Sequence, residues 1–365
     1  MQLDFFPSRT LTLYLAKLFV MRIIAMLAVL VLVLMALDLL GSTGKILAVE
    51  GNGSPELWKY VSLRIPQLIS RFLPYSVLLA TLITLVTLNQ NSEVIAMKAS
   101  GLSAHQVLAP LLLTALIVAG LSFAFNESFV TKANAALKAW EGADYGLIPE
   151  EEGTRTNVYL TDGANIMTAA TLSGSGNDIT MTGVTWYSRA PNGMLSEQIT
   201  AETATFADPG WRLDDAERFN VAAADSSVAG TLVVGQGLTL AQIELDSVDA
   251  DGLGFFELSR SIDAYEAAGR RTSELRAKWW HKLAGPLSAF LMPLLGAVAA
   301  FGLARSGQLF VRAVIGMALG FAYFVVDNAA LAMGSFGGYP PSLAAWGPFL
   351  LFLFIGESVL IRTEE

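Results

Sequence analysis

The chain has 365 residues, 53% of them hydrophobic and only 15% charged, against roughly 25% charged in an ordinary globular chain. It has no cysteine and two histidines, which excludes disulfides, thiol catalysis, Cys-ligated metals and a His-rich metal site within one chain. The formal charge of −9 argues against broad nucleic-acid binding, and the composition points to a membrane protein.

In chain order, the first apolar run is Leu18 to Leu40, interrupted only by Arg22 and Asp38. Basic residues precede it, but no small-x-small cleavage site follows closely, so it reads as a retained span rather than a signal peptide. Phe72 to Leu88 and Val107 to Phe125 follow, and a second group comprises Leu283 to Leu303, Val311 to Val326, and Leu343 to Ile355 with its continuation to Ile361. A helix needs ~20 apolar residues to cross the hydrocarbon core, and each run reaches that length with polar residues at its ends. Six membrane helices are therefore expected, with both termini on one side. The Lys/Arg distribution is close to a tie between the two sides, so charge alone leaves orientation open.

Between spans two and three, Asn91 or Ser92 can cap a short helix, Glu93 complements its N-terminal end and Gly101 can stop it. Ser103 and Gln106 then have capping-box spacing. Val94 and Met97 share a face at i,i+3. This pattern fits a docking element, and equally an ordinary capped connector.

Residues 126–275 differ in character, with 23 Asp/Glu against 9 Lys/Arg, a net of −14. Short strand signals are separated by Gly, Asp and Asn. Trp211, Leu213, Phe219 and Val221 occupy alternate positions, as in a strand with one buried face. In Ile179–Tyr187 the apolar phase shifts from Met181 to Val184, and Gly183 at the shift predicts a bulge. About six such strands predict a sandwich or jelly roll. The expected organisation is membrane helices 1–3 over residues 1–126, a β domain with a linker helix over 127–275, and helices 4–6 over 276–365.

Asp38 and Asp327 lie at the ends of apolar runs. A carboxylate there either faces a cavity or partner within the membrane or sits in interfacial water, and the sequence allows both; Glu357 reads as interfacial. His105 and His281 read as helix-end residues. The chain contains no HExxH, GxSxG or Walker GxxxxGK[ST] motif, so energised transport would need a nucleotide-hydrolysing partner. Pro66 and Pro74 near span two, and Pro293 inside span four, mark helix kinks.

Three spans, a β domain and three spans resemble the LptF/LptG family of lipopolysaccharide-export permeases across the whole chain. The segment from Ser92 through Glu93 to Ala99, Ser100 and Gly101 is similar to that family's coupling helix. Ala277-Lys278-Trp279-Trp280-His281-Lys282 with Gly285-Pro286-Leu287-Ser288 resembles its approach to span four. Val311-Arg312, Gly316, Gly320, Phe321 and Tyr323 to Asp327, with Gly338-Tyr339-Pro340-Pro341 and Asp38, look like the LptG branch rather than LptF.

The resemblance implies a non-catalytic permease subunit paired with an LptF-like subunit. ATP and Mg are expected in a partner LptB-like ATPase dimer, with no cofactor in this chain. Glu93, Val94, Met97 and Gly101 would couple to that ATPase. Asp38, Leu34, Phe321, Phe324 and Asp327 would lie along a lateral gate for lipopolysaccharide. Trp211, Leu213, Phe219 and Val221 would line a lipid groove in a periplasmic β domain that meets LptC/LptA-like bridge proteins, with the termini cytoplasmic. The stretch Leu34 to Ser42 lacks the lysines that enteric members carry there, with none before Lys45. A less phosphorylated lipid A or another large glycolipid therefore stays open. Other classes compatible with this layout are a non-transporting membrane adaptor and a membrane-anchored envelope enzyme.

Overall fold

The computed structural model describes residues 6–146, 155–174, 178–190, 193–238, 249–267, 270–301 and 309–362. Its helices are α1 (Arg9–Leu47), α2 (Ser54–Gln90), α3 (Glu93–Ala99), α4 (Ala104–Phe125) and α5 (Thr131–Gly142), with a π turn at Asn126–Val130 joining the last two. After the strands come α6 (Phe255–Ala267), α7 (Ser273–Phe301), α8 (Leu309–Ser335) and α9 (Pro341–Arg362). The chain forms two units, one of Met1–Thr43, Leu57–Asn134 and Ala250–Glu365, the other of Gly44–Glu56 and Ala135–Asp249.

Five helices among the described residues are long and apolar enough to cross a bilayer: α1, α2, the run from Ala104 to Gly142, the Val314–Ser335 part of α8, and α9. The remaining expected span coincides with α7 as far as Phe301, and its last two residues lie outside the described residues. The 39 residues of α1 give a rod of about 58 Å at ~1.5 Å per residue, roughly twice the hydrocarbon thickness. In the helical unit, Leu15, Phe19 and Ile23 of α1 join one core with Val77 and Leu85 of α2, Val107 and Leu111 of α4, Leu291 and Leu295 of α7, Tyr323 of α8 and Phe349 of α9. Small residues let these helices approach closely: a Cβ on Gly356 of α9 would lie 2.7 Å from Leu294 of α7.

Further along α1 the packing thins, and Leu32, Val33, Leu37 and Leu40 are exposed. An apolar helix surface without cover needs lipid or another protein against it.

Among the described residues the second unit carries six antiparallel strands paired strictly in chain order: β1 (Arg155–Asp162), β2 (Asn165–Ser173), β3 (Thr180–Arg189), β4 (Leu195–Phe206), β5 (Trp211–Asn220) and β6 (Asp225–Val234). One face is apolar, with Met167, Met181, Val184, Trp186, Ile199, Trp211 and Leu213 in a single core. The bulge predicted at Gly183 is not formed, since the register runs unbroken from Thr182–Thr171 to Val184–Ala169, but the change of apolar phase is present: the φ of Gly183 is +60°, and an added Cβ would sit 2.9 Å from that of Ala170.

That phase change belongs to a row. Buried residues are three apart, not two, at Ala169 and Leu172 in β2, Met181 and Val184 in β3, Ala201 and Ala204 in β4, and Leu213 and Ala216 in β5. The extra residues face one another, since Ala169 pairs with Val184 and Leu172 with Met181. In β5 the extra residue is Asp215, at φ +53°. Past it the alternation expected from the sequence fails. Trp211 and Leu213 are buried, whereas Phe219 and Val221 are exposed, because the inserted residue turns the rest of the strand over.

Candidate coupling turn and gate residues

The turn between α2 and α4 is closed at both ends by backbone geometry. Gly101, at φ +91°, ends α3; its N–H donates to the Lys98 carbonyl, and the Leu102 N–H donates to that of Met97. These two bonds form a Schellman stop, which requires a left-handed residue where glycine stands. The capping box at Ser103 and Gln106 is also present, with both reciprocal bonds made. The start of α3 differs from expectation. Ser92 precedes it at φ +58° with no side-chain cap, and Asn91 Nδ2 donates instead to Glu93 Oε1 at 3.3 Å.

Val94 is 4% exposed and Met97 8%, both within the helical core, whereas Ile95 is 65% exposed. The i,i+3 face foreseen from the sequence therefore anchors α3 to its own chain. The outward face carries Ile95, Ala96, Lys98 and Ala99, with Glu93 half-buried at its edge. The Tyr14 hydroxyl of α1 donates to the Glu93 carboxylate, 3.2 Å from Oε2.

Asp38, with its side chain 24% exposed, has polar partners from within the chain. Arg64 of α2 pairs with it, the Tyr60 hydroxyl donates to its Oδ2 at 2.7 Å, and the Ser42 hydroxyl donates to Tyr60 at 2.9 Å. Arg64 also donates to Gln67 at 2.6 Å. Arg64, Tyr60 and Gln67 lie on the next helix, and composition gives no signal for them.

Asp327 is 6% exposed. Its Oδ2 lies 3.0 Å from His281 Nε2 of α7, and its Oδ1 is buried without a hydrogen-bond partner. His281, taken from sequence as a helix-end residue, thus serves as the partner of a buried carboxylate. On α8, Phe324 is buried and stacks on Tyr75 of α2 with centroids 3.7 Å apart, while Phe321 is exposed. Leu34 of α1 is half-buried. His105 of α4 and Glu357 of α9 form a further pair at 3.4 Å. In the sheet unit, Trp211 Nε1 is buried with no hydrogen-bond partner. No group of three or more His, Asp or Glu among the described residues could hold a metal ion.

Residues 13–362 match the model of the family described as "Lipopolysaccharide export system permease LptF/LptG". The chain is 27% identical over 314 residues to the lipopolysaccharide export system permease protein LptG of Escherichia coli strain K12, covering 83% of this chain and 84% of that protein. It is 24% identical over 329 residues to the LptG of Haemophilus influenzae strain KW20, covering 86% and 89%. With apolar helices long enough to span a bilayer and a separate six-stranded sheet, the chain belongs to the LptF/LptG family of lipopolysaccharide export permeases and is most like LptG.

Proposed function

We propose that this chain is the LptG-type permease subunit of an ATP-driven exporter. It extracts lipopolysaccharide, or a comparable large glycolipid, from the outer leaflet of the inner membrane and passes it to a periplasmic bridge toward the outer membrane. The termini and α3 face the cytoplasm, and the sheet domain, a jelly-roll-type lipid carrier, faces the periplasm. The observation that carries this reading is the α2–α3–α4 turn. Its core-facing residues fix a seven-residue helix whose outward face holds Ile95 and Lys98 beside Glu93, a compact surface for a partner ATPase.

Physical chemistry supports the division of labour. Lifting acyl chains from a bilayer costs ~0.8 kcal/mol per CH₂ exposed, so extraction needs an energy source. The chain has no Walker GxxxxGK[ST] motif, which is consistent with ATP and Mg being held by an LptB-like dimer. The exposed apolar surface of α1 suits an LptF-like subunit with a lipid pathway between the two, and LptC/LptA-like proteins receive the cargo.

A mild-detergent pull-down from the native membrane, with mass spectrometry of proteins and lipids, tests this reading. An ATPase, a second permease subunit and lipid A or a related glycolipid are expected. Recovery of the chain with neither ATPase nor lipid sinks it.

A further inference from the structure

The Tyr14–Glu93 contact joins two elements that the proposed function uses separately, and the inference drawn from it rests on that reading. Tyr14 and Glu93 are 79 residues apart in sequence, and the phenol lies 3.5 Å from Oε1 and 3.2 Å from Oε2 of the carboxylate. Around them the N-terminal part of α1 and the inner face of α3 share one core, through Leu15, Phe19 and Ile23 on one side and Val94 and Met97 on the other. Beyond that core α1 has a largely exposed apolar surface until Asp38 pairs with Arg64. Tyr14 and Asp38 are 24 positions apart on one continuous helix, about 36 Å along its axis at ~1.5 Å per residue. Between Ile23 and Asp38 the buried side chains of α1 are Val31 and Met35, and a helix held chiefly toward its two ends moves as a rod.

We propose that Tyr14 is a positioning residue for energy coupling. It ties the docking carboxylate Glu93 to α1, so that displacement of α3 by the ATPase is passed along α1 to the Asp38 end. A rigid rod transmits position without a chain of intermediate contacts, which suits a helix bordered by lipid. The packing of Leu15 and Phe19 alone holds α1 near α3 but sets no direction along the carboxylate; the hydroxyl supplies that direction. A coupling free energy between distant sites requires an element that both sites bias, and α1 with its two end contacts is that element.

The test uses the complete exporter purified from its native membrane and reconstituted in proteoliposomes loaded with lipopolysaccharide. ATP hydrolysis and lipopolysaccharide release are measured together for the native complex, Tyr14→Phe and Glu93→Ala. Tyr14→Phe keeps the exposed ring and removes only the hydroxyl. The expected result is an assembled complex whose lipid released per ATP hydrolysed falls threefold or more. A merely structural role lowers the amount of complex and leaves that ratio unchanged. An unchanged ratio in Tyr14→Phe, with Glu93→Ala impaired, overturns the assignment of Tyr14 alone. Normal ATPase binding and export by Glu93→Ala overturns the coupling reading beneath it.

Discussion

Arg64 grips Asp38 through both carboxylate oxygens, Nε to Oδ2 and Nη2 to Oδ1, each at 3.0 Å. The pair spans 26 residues of sequence and fastens α1 to α2 where α1 has little other cover. Paired charge-assisted bonds of this kind are among the stronger polar contacts in proteins. Asp38→Ala leaves a half-buried guanidinium and the Tyr60 hydroxyl without their acceptor, and the expected loss is about 2 kcal/mol. Thermal unfolding in detergent checks it. The double variant Asp38→Ala/Arg64→Ala should recover part of the loss; a double variant as unstable as the sum of the two singles would show that the groups do not act as a pair.

On the proposed reading the two faces of α3 have different duties, and substitutions separate them. Ile95→Asp puts a charge on the exposed face, so the chain should insert and fold normally while ATPase recovery in a pull-down drops at least tenfold. Val94→Ala removes buried methyl groups and should cost about 1–2 kcal/mol of stability with docking retained. Unimpaired ATPase recovery by Ile95→Asp would remove the outward face from the interface.

Asp327 and His281 give a sharper stability test. Removing only the histidine strands a buried carboxyl group whose other oxygen already lacks a partner, and His281→Ala is expected to cost about 1–3 kcal/mol. Replacing both, with His281→Ala and Asp327→Leu, removes the buried polar group as well as its partner and should be better tolerated than the single change. Unfolding midpoints of the two variants decide it; equal stability of His281→Ala and the native chain would mean that the contact holds nothing.

At Gly183, an alanine would have to adopt a left-handed backbone and press its methyl on that of Ala170. A loss of about 1–3 kcal/mol is expected, localised to the sheet unit. Hydrogen exchange should show faster opening of β2 and β3 with the helices unchanged, and Ala170→Gly should restore part of the protection.

How much of this was legible in the sequence depended on how local each signal is. The Gly101 stop and the Ser103–Gln106 box were readable because a cap is complete within a few residues. The shared face of Val94 and Met97 was readable too, but periodicity says which residues share a face and not which way the face points. The buried i,i+3 spacing in β5 was masked because aspartate at 215 carries only a weak signature of a left-handed backbone, so the alternation appeared to run on to Val221. The partners of Asp38 and Asp327 were out of reach for a different reason: Arg64 and His281 sit 26 and 46 residues away, and only helix packing brings them together. Tyr14 carried no sequence signal at all, since a tyrosine near the start of an apolar helix is ordinary interface chemistry.

The row of extra residues across β2 to β5 also constrains how this sheet can change over evolutionary time. Because the surplus in each strand is answered by one in its neighbour, a deletion confined to β3 would send either Met181 or Val184 to the wet side and leave Leu172 or Ala169 facing a polar residue. Alternation can be restored only by shortening the facing strands together. The heritable unit here is a transverse line of positions, one from each strand, and length variation in relatives should collect in the hairpin loops while that line stays fixed.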